Sequence, residues 1–117
     1  MKNEWGAELD RNGYAPGIVQ ADTSKCFLCQ RSGVKLDRHE IFGNAMRSKS
    51  KRMGLWVSLC HEPCHLTHAH GCAEVMDWLH RVGEQACIEK YDFTIPMFRR
   101  EFYNNYLEEK DAEQSNP

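Results

Sequence analysis

At 117 residues, with 41% hydrophobic and 27% charged side chains and a formal net charge of -2, the chain is the size of one modest domain, which excludes a second sizeable core and a large multidomain enzyme. No stretch approaches the roughly 20 apolar residues that cross a bilayer, and the first ten residues are acidic and polar where a signal peptide is basic and then apolar. These features predict a soluble cytoplasmic protein with no membrane partner.

The charge is unevenly placed. Residues 1–24 carry two bases against four acids and residues 108–117 one against four, so the middle, 25–107, keeps twelve bases against nine acids and can face phosphate. Residues 1–24 contain Gly6, Gly13, Pro16 and Gly17 with scattered apolar side chains, which predicts a loosely attached, flexible arm. Cys26 to Cys29 read as a tight knuckle, and 34–42 as a short strand. Residues 44–52 form a polar, basic loop, and 54–59, GLWVSL, suit a second strand returning antiparallel to deliver Cys60 to the knuckle. From about Ala73, the three- and four-residue spacing of Val75, Met76, Leu79, Val82 and Ala86 predicts an amphipathic helix. Thr94 before Pro96, followed by Met97, Phe98, Phe102, Tyr106 and Leu107, predicts a second, capped helix. The tail 108–117 is acidic and reads as disordered. The fold class is α+β, with a domain over 25–107.

Of the six cysteines, Cys26 and Cys29 form a CxxC and Cys60 and Cys64 a CxxxC. In a cytosolic chain, two such pairs from distant turns point to a structural Zn²⁺ that staples the turns together, rather than to disulfides or four core thiols. Cys87 lies in the helical pattern and reads as packing, while Cys72 fits either role. Of the six histidines, His39, His61, His65, His68 and His70 are close in sequence. His65 directly follows Cys64 and His39 ends the first strand, so a hairpin brings both to one side and suggests a second, divalent metal. His61 and His80 read as surface or supporting residues. Arg47, Lys49, Lys51 and Arg52, with no acid from Ile41 to His61, are candidate contacts to a DNA backbone.

The run CFLC, LDRHEIFG, GLWVSLC and CH resembles the HNH endonucleases, the ββα-metal or His-Me finger fold, in their zinc-stapled form. It is closer still to small HNH proteins of phages and prophages, whose aromatic end lies near NYL; here that end reads Phe102, Tyr103, Asn104, Asn105, Tyr106, Leu107. The resemblance covers 25–107 and implies a treble-clef-like hairpin and helix holding Zn²⁺ on Cys26, Cys29, Cys60 and Cys64. It also implies a catalytic Mg²⁺ or Mn²⁺ on His39, His65 and His70, or His68 in place of His70, with Glu40 in the position of the general base. The chain departs from the pattern in having Glu rather than His there, and Gly54 where the middle asparagine falls, although Asn44 stands in the loop. The implied activity is metal-dependent hydrolysis of DNA phosphodiesters in a bacterial host cell. The alternative is a catalytically inactive, zinc-stabilised DNA-binding or assembly module of a phage recombination or packaging system. A CxxC redox protein fits less well, because the thioredoxin-like βαβ context is missing.

Overall fold

The computed structural model describes residues 1–107; the acidic tail lies outside the described residues. Strands β1 (Leu36–Glu40) and β2 (Trp56–Cys60) pair antiparallel, with Leu36 opposite Cys60, His39 opposite Val57 and Glu40 opposite Trp56. All five residues of the apolar β2, WVSLC, are buried, while β1, LDRHE, is partly open. This is the expected hairpin, and with the helices that follow it makes a small α+β fold.

The connection between the strands differs from the expected loop. Residues Asn44–Met46 form a 3-10 turn that leads into α1 (Arg47–Arg52). The helix is basic along its length but anchored by buried Ser50, whose Oγ donates to the Leu55 carbonyl at 2.5 Å and accepts from Phe42 N at 3.1 Å. A hydroxyl that satisfies two backbone groups closes the loop in a way that composition alone does not show.

Beyond β2 the chain enters a wide helical segment, His61–Ala69, interrupted by extended backbone at Glu62 (φ -137°, ψ 138°). Helix α2 (Ala73–Tyr91) and helix α3 (Ile95–Phe102) follow. Thr94 caps α3 by accepting from Met97 N at 3.2 Å, with Pro96 in the first turn. The pattern extending to Leu107 overshoots: α3 ends at Phe102, where Tyr103 takes a left-handed conformation (φ +59°) and donates its N–H to Arg99 O. Tyr106 then turns back, its N–H donating to Glu84 Oε1 at 2.6 Å.

The core joins Ile41, Leu55, Val57 and Leu59 of the hairpin region to Leu79, Cys87 and Phe98 of the helices. The fully buried face of α2 is Leu79, Gly83, Glu84 and Cys87, while Val75, Met76, Val82 and Ala86 are half-buried. Gly83 allows that close approach, since a Cβ there would lie 2.7 Å from Ile41 Cγ2.

Residues 1–24 were expected as a loose arm, but lie against the domain through specific bonds. Asn3 Nδ2 donates to Arg52 O at 2.8 Å, Trp56 Nε1 to Ala15 O at 2.8 Å, and Ser58 N to Gln20 Oε1 at 2.8 Å. Asn3, Ala15 and Gln20 are buried. Among the described residues no helix is long and apolar enough to cross a membrane.

Candidate metal centres

The knuckle after the arm and the end of β2 bring Cys26, Cys29, Cys60 and Cys64 together, with all four sulfurs within 4.8 Å of one another. Cys29 Sγ and Cys60 Sγ are 3.9 Å apart, close to the edge of about 3.8 Å of a tetrahedron with Zn–S bonds of about 2.3 Å. The cluster can hold a metal such as zinc. Arg31 sits over it, its Nε 3.2 Å from Cys29 Sγ and its NH2 3.2 Å from Cys60 Sγ. That guanidinium brings the Cys29 thiol down to about 6, so a thiolate is available at neutral pH. Burial pushes Cys64 the other way, together with the neighbouring sulfurs, a conflict that a divalent cation removes.

A second cluster is joined to the first through the chain, since His65 directly follows Cys64. His39 from β1 and His65 and His70 from the segment after β2 place one ring nitrogen each within 4.8 Å of one another. His70 Nε2 is 3.0 Å from His65 Nε2. Imidazoles that share a metal at bonds of about 2.1 Å come this close. His70, rather than His68, joins the cluster. Burial pushes His39 down to about 4, helped by His65 and His70, so it is neutral at physiological pH, the form that ligates.

Asp37 supports this cluster. It lies two residues before His39 and therefore on the same face of β1, and its Oδ2 is 2.7 Å from His65 Nδ1 and 2.8 Å from His61 Nδ1. By accepting a hydrogen bond from Nδ1–H, Asp37 leaves His65 Nε2 bare for a metal. The alternation of the strand was the signal that could have revealed Asp37.

Glu40 belongs to the opposite face and is not in the histidine cluster. Its Oε2 accepts from Tyr14 OH at 2.7 Å, and its Oε1 pairs with Arg47 Nε. Burial resists ionisation of Glu40, but Tyr14 and Arg47 outweigh it and hold the carboxyl below its ordinary range. Glu40, His39, His65 and His70 all border one cleft of about 530 Å³ that wraps the end of β1, with Asn44 and His80 on its wall. His80 stacks on Phe42 with ring centroids 5.5 Å apart. Neither Cys72 nor His68 is in a metal-competent cluster among the described residues. A larger recess of about 660 Å³ along α2, lined by Ile18, Trp78 and Val82, presents no histidine or cysteine.

The four basic residues expected to meet DNA do not form one patch: Arg47 and Lys51 border one recess, and Lys49 and Arg52 do not. Arg47 faces Glu40, Lys49 Nζ donates to Glu101 O at 2.7 Å, Lys51 lies over the Tyr14 ring, and Arg52 pairs with Glu4 at 2.6 Å. No family model, curated protein or solved structure matches the chain.

Proposed function

We propose that the chain is a metal-dependent DNA endonuclease of the HNH, ββα-metal kind, in the zinc-stapled form that phages encode. The observation that carries this reading is the convergence of His39, His65 and His70, with His65 directly following Cys64 of the four-cysteine cluster. Cys26, Cys29, Cys60 and Cys64 hold a structural zinc, and the three imidazoles hold the catalytic ion. An all-imidazole set suits Mn²⁺ or another transition ion better than Mg²⁺, which prefers oxygen ligands.

When bound, the divalent ion supplies a Lewis acid for phosphodiester hydrolysis. The remaining work belongs to the chain. Asp37 fixes the tautomer of His65, and Arg47 presents a guanidinium at the mouth of the cleft. Glu40, an ionised carboxylate at its edge, takes the proton of the attacking water. A glutamate is about two pK units less basic than a histidine, and its bonds to Tyr14 and Arg47 weaken it further, so the reading implies a slow enzyme.

Those bonds also favour a second reading, a binding module without chemistry, because both Glu40 oxygens are engaged. Incubating the protein with supercoiled plasmid and a panel of divalent ions separates the two. The endonuclease reading expects nicking, strongest with Mn²⁺, that His39→Ala and Glu40→Gln each abolish while Glu40→Gln still binds the ion. Intact plasmid in every ion overturns it in favour of the binding module.

A further inference from the structure

Arg47 and Lys51 stand four residues apart on α1 and therefore share one helix face. Lys49 and Arg52 are directed away, one to Glu101 of α3 and the other to Glu4 of the arm. On the shared side, Arg38 from β1 places its guanidinium 4.5 Å from the centroid of Tyr14, and Lys51 its ammonium 4.8 Å from the same ring. The three cations, with Asn12 and Tyr14, line a recess of about 520 Å³. Tyr14, Arg38 and Arg47 line the histidine cleft as well, so the recess opens beside that cleft.

Each arginine of the recess has a carboxylate partner, and the lysine has none among the described residues. Asp10 holds Arg38 at 2.7 Å and Glu40 holds Arg47. Asp37 also borders the recess, but its Oδ2 is taken by His61 and His65. Lys51 is half-buried and forms no ion pair with a carboxylate among the described residues; its partner is the face of Tyr14. A partly desolvated ammonium on an aromatic ring is a favourable place for an anion to complete the charge. The Arg38–Asp10 pair is exposed, and pairs of that kind are weak enough for a phosphate to displace.

We infer that Arg38, Arg47 and Lys51, arranged around Tyr14, seat one backbone phosphate of a nucleic acid beside the histidine cleft. The seat adds Arg38 to the contacts expected from the sequence and removes Lys49 and Arg52. It rests on the reading of the substrate as nucleic acid but not on cleavage. A strand seated there enters the cleft past Arg47, with its next phosphodiester toward the three histidines.

The test uses the full chain with its zinc and no added divalent ion, titrated against a short fluorescein-labelled DNA duplex by anisotropy. Lys51→Gln and Arg38→Gln are expected to weaken binding about fivefold each at low salt. Because the seat holds a single phosphate, the double variant should reduce the log–log salt slope by about 0.9 in total. Lys49→Gln and Arg52→Gln should stay within about twofold of the parent. Equal losses in all four variants, or no DNA binding by the parent, overturns the seat. Should Arg38→Gln lose its fold with its stack on Tyr14, seen as loss of zinc, Lys51→Gln against Lys49→Gln decides alone. A parent that binds with this pattern yet nicks no plasmid removes the endonuclease reading and leaves the seat standing.

Discussion

Cys64 and His65 are neighbours in the chain, yet one belongs to the cysteine cluster and the other to the histidine cluster. The backbone between them is shared, so fixing one sulfur fixes the origin of one imidazole. Structural zinc contributes folding free energy directly, so a zinc held by the four cysteines would also position one imidazole of the histidine cluster. Cys64→Ser is therefore expected to lose zinc and, with it, calorimetric Mn²⁺ binding. His65→Ala should keep one zinc per chain and lose only Mn²⁺. Normal Mn²⁺ binding by a zinc-free Cys64→Ser protein would show the clusters to be independent.

Asp37 serves two imidazoles through one oxygen, but only His65 is in the histidine cluster. Removing the carboxylate charge with Asp37→Asn should weaken Mn²⁺ binding about 10- to 100-fold, the usual cost of losing such a supporting partner, with zinc content unchanged. His61→Ala should leave Mn²⁺ affinity nearly intact. If the two substitutions have the same effect, Asp37 does not act through His65.

Acid should destabilise the protein through His39. Burial, then His65 and His70, set its folded pKa at about 4, against about 6.5 in an unfolded chain. Between those values the unfolded state binds more protons, so stability rises with pH. The contribution is fully present above pH 6.5 and is lost as pH falls toward 4, by up to about 3 kcal/mol. His80, also lowered by burial, acts in the same direction. Urea unfolding of the zinc-loaded protein without added Mn²⁺ should show a steeper loss from pH 7 to 5 for the parent than for His39→Gln. Parallel curves would rule out His39 as the source.

The strands and the cysteine pairs were legible because each is written locally: GLWVSL is apolar but for Ser58 and the paired cysteines have close spacing. Thr94 and Pro96 likewise marked the start of α3, since a cap is a local signal. Its end was not marked, because Tyr106 and Leu107 continue the apolar period although Tyr103 has already turned the chain. The basic stretch read as a loop because its helix is anchored by one serine hydroxyl on backbone groups five and eight residues away. The seating of residues 1–24 was hidden for a related reason: Asn3 meets a carbonyl 49 residues further on, a pairing with no local periodicity. Glu40 was found by its place in a motif, but its partner Tyr14 comes from that same arm.

A hairpin of two strands leaves the outer side of β2 with backbone groups facing away from β1, and such a side ordinarily recruits another chain. Here the arm and knuckle occupy it: Ile18 N bonds Gly54 O at 3.0 Å, Gln20 Oε1 accepts from Ser58 N, and Phe27 N bonds Ser58 O at 2.8 Å. The covering segment, with Pro16, Gly17 and a side-chain amide standing in for a backbone carbonyl, does not itself form a strand. It ends the sheet instead of extending it. The arm thus guards against self-association a strand almost forty residues further along the chain, its Gln20 meeting Ser58 38 residues on, and a copy lacking it would carry an open template for pairing with its neighbours.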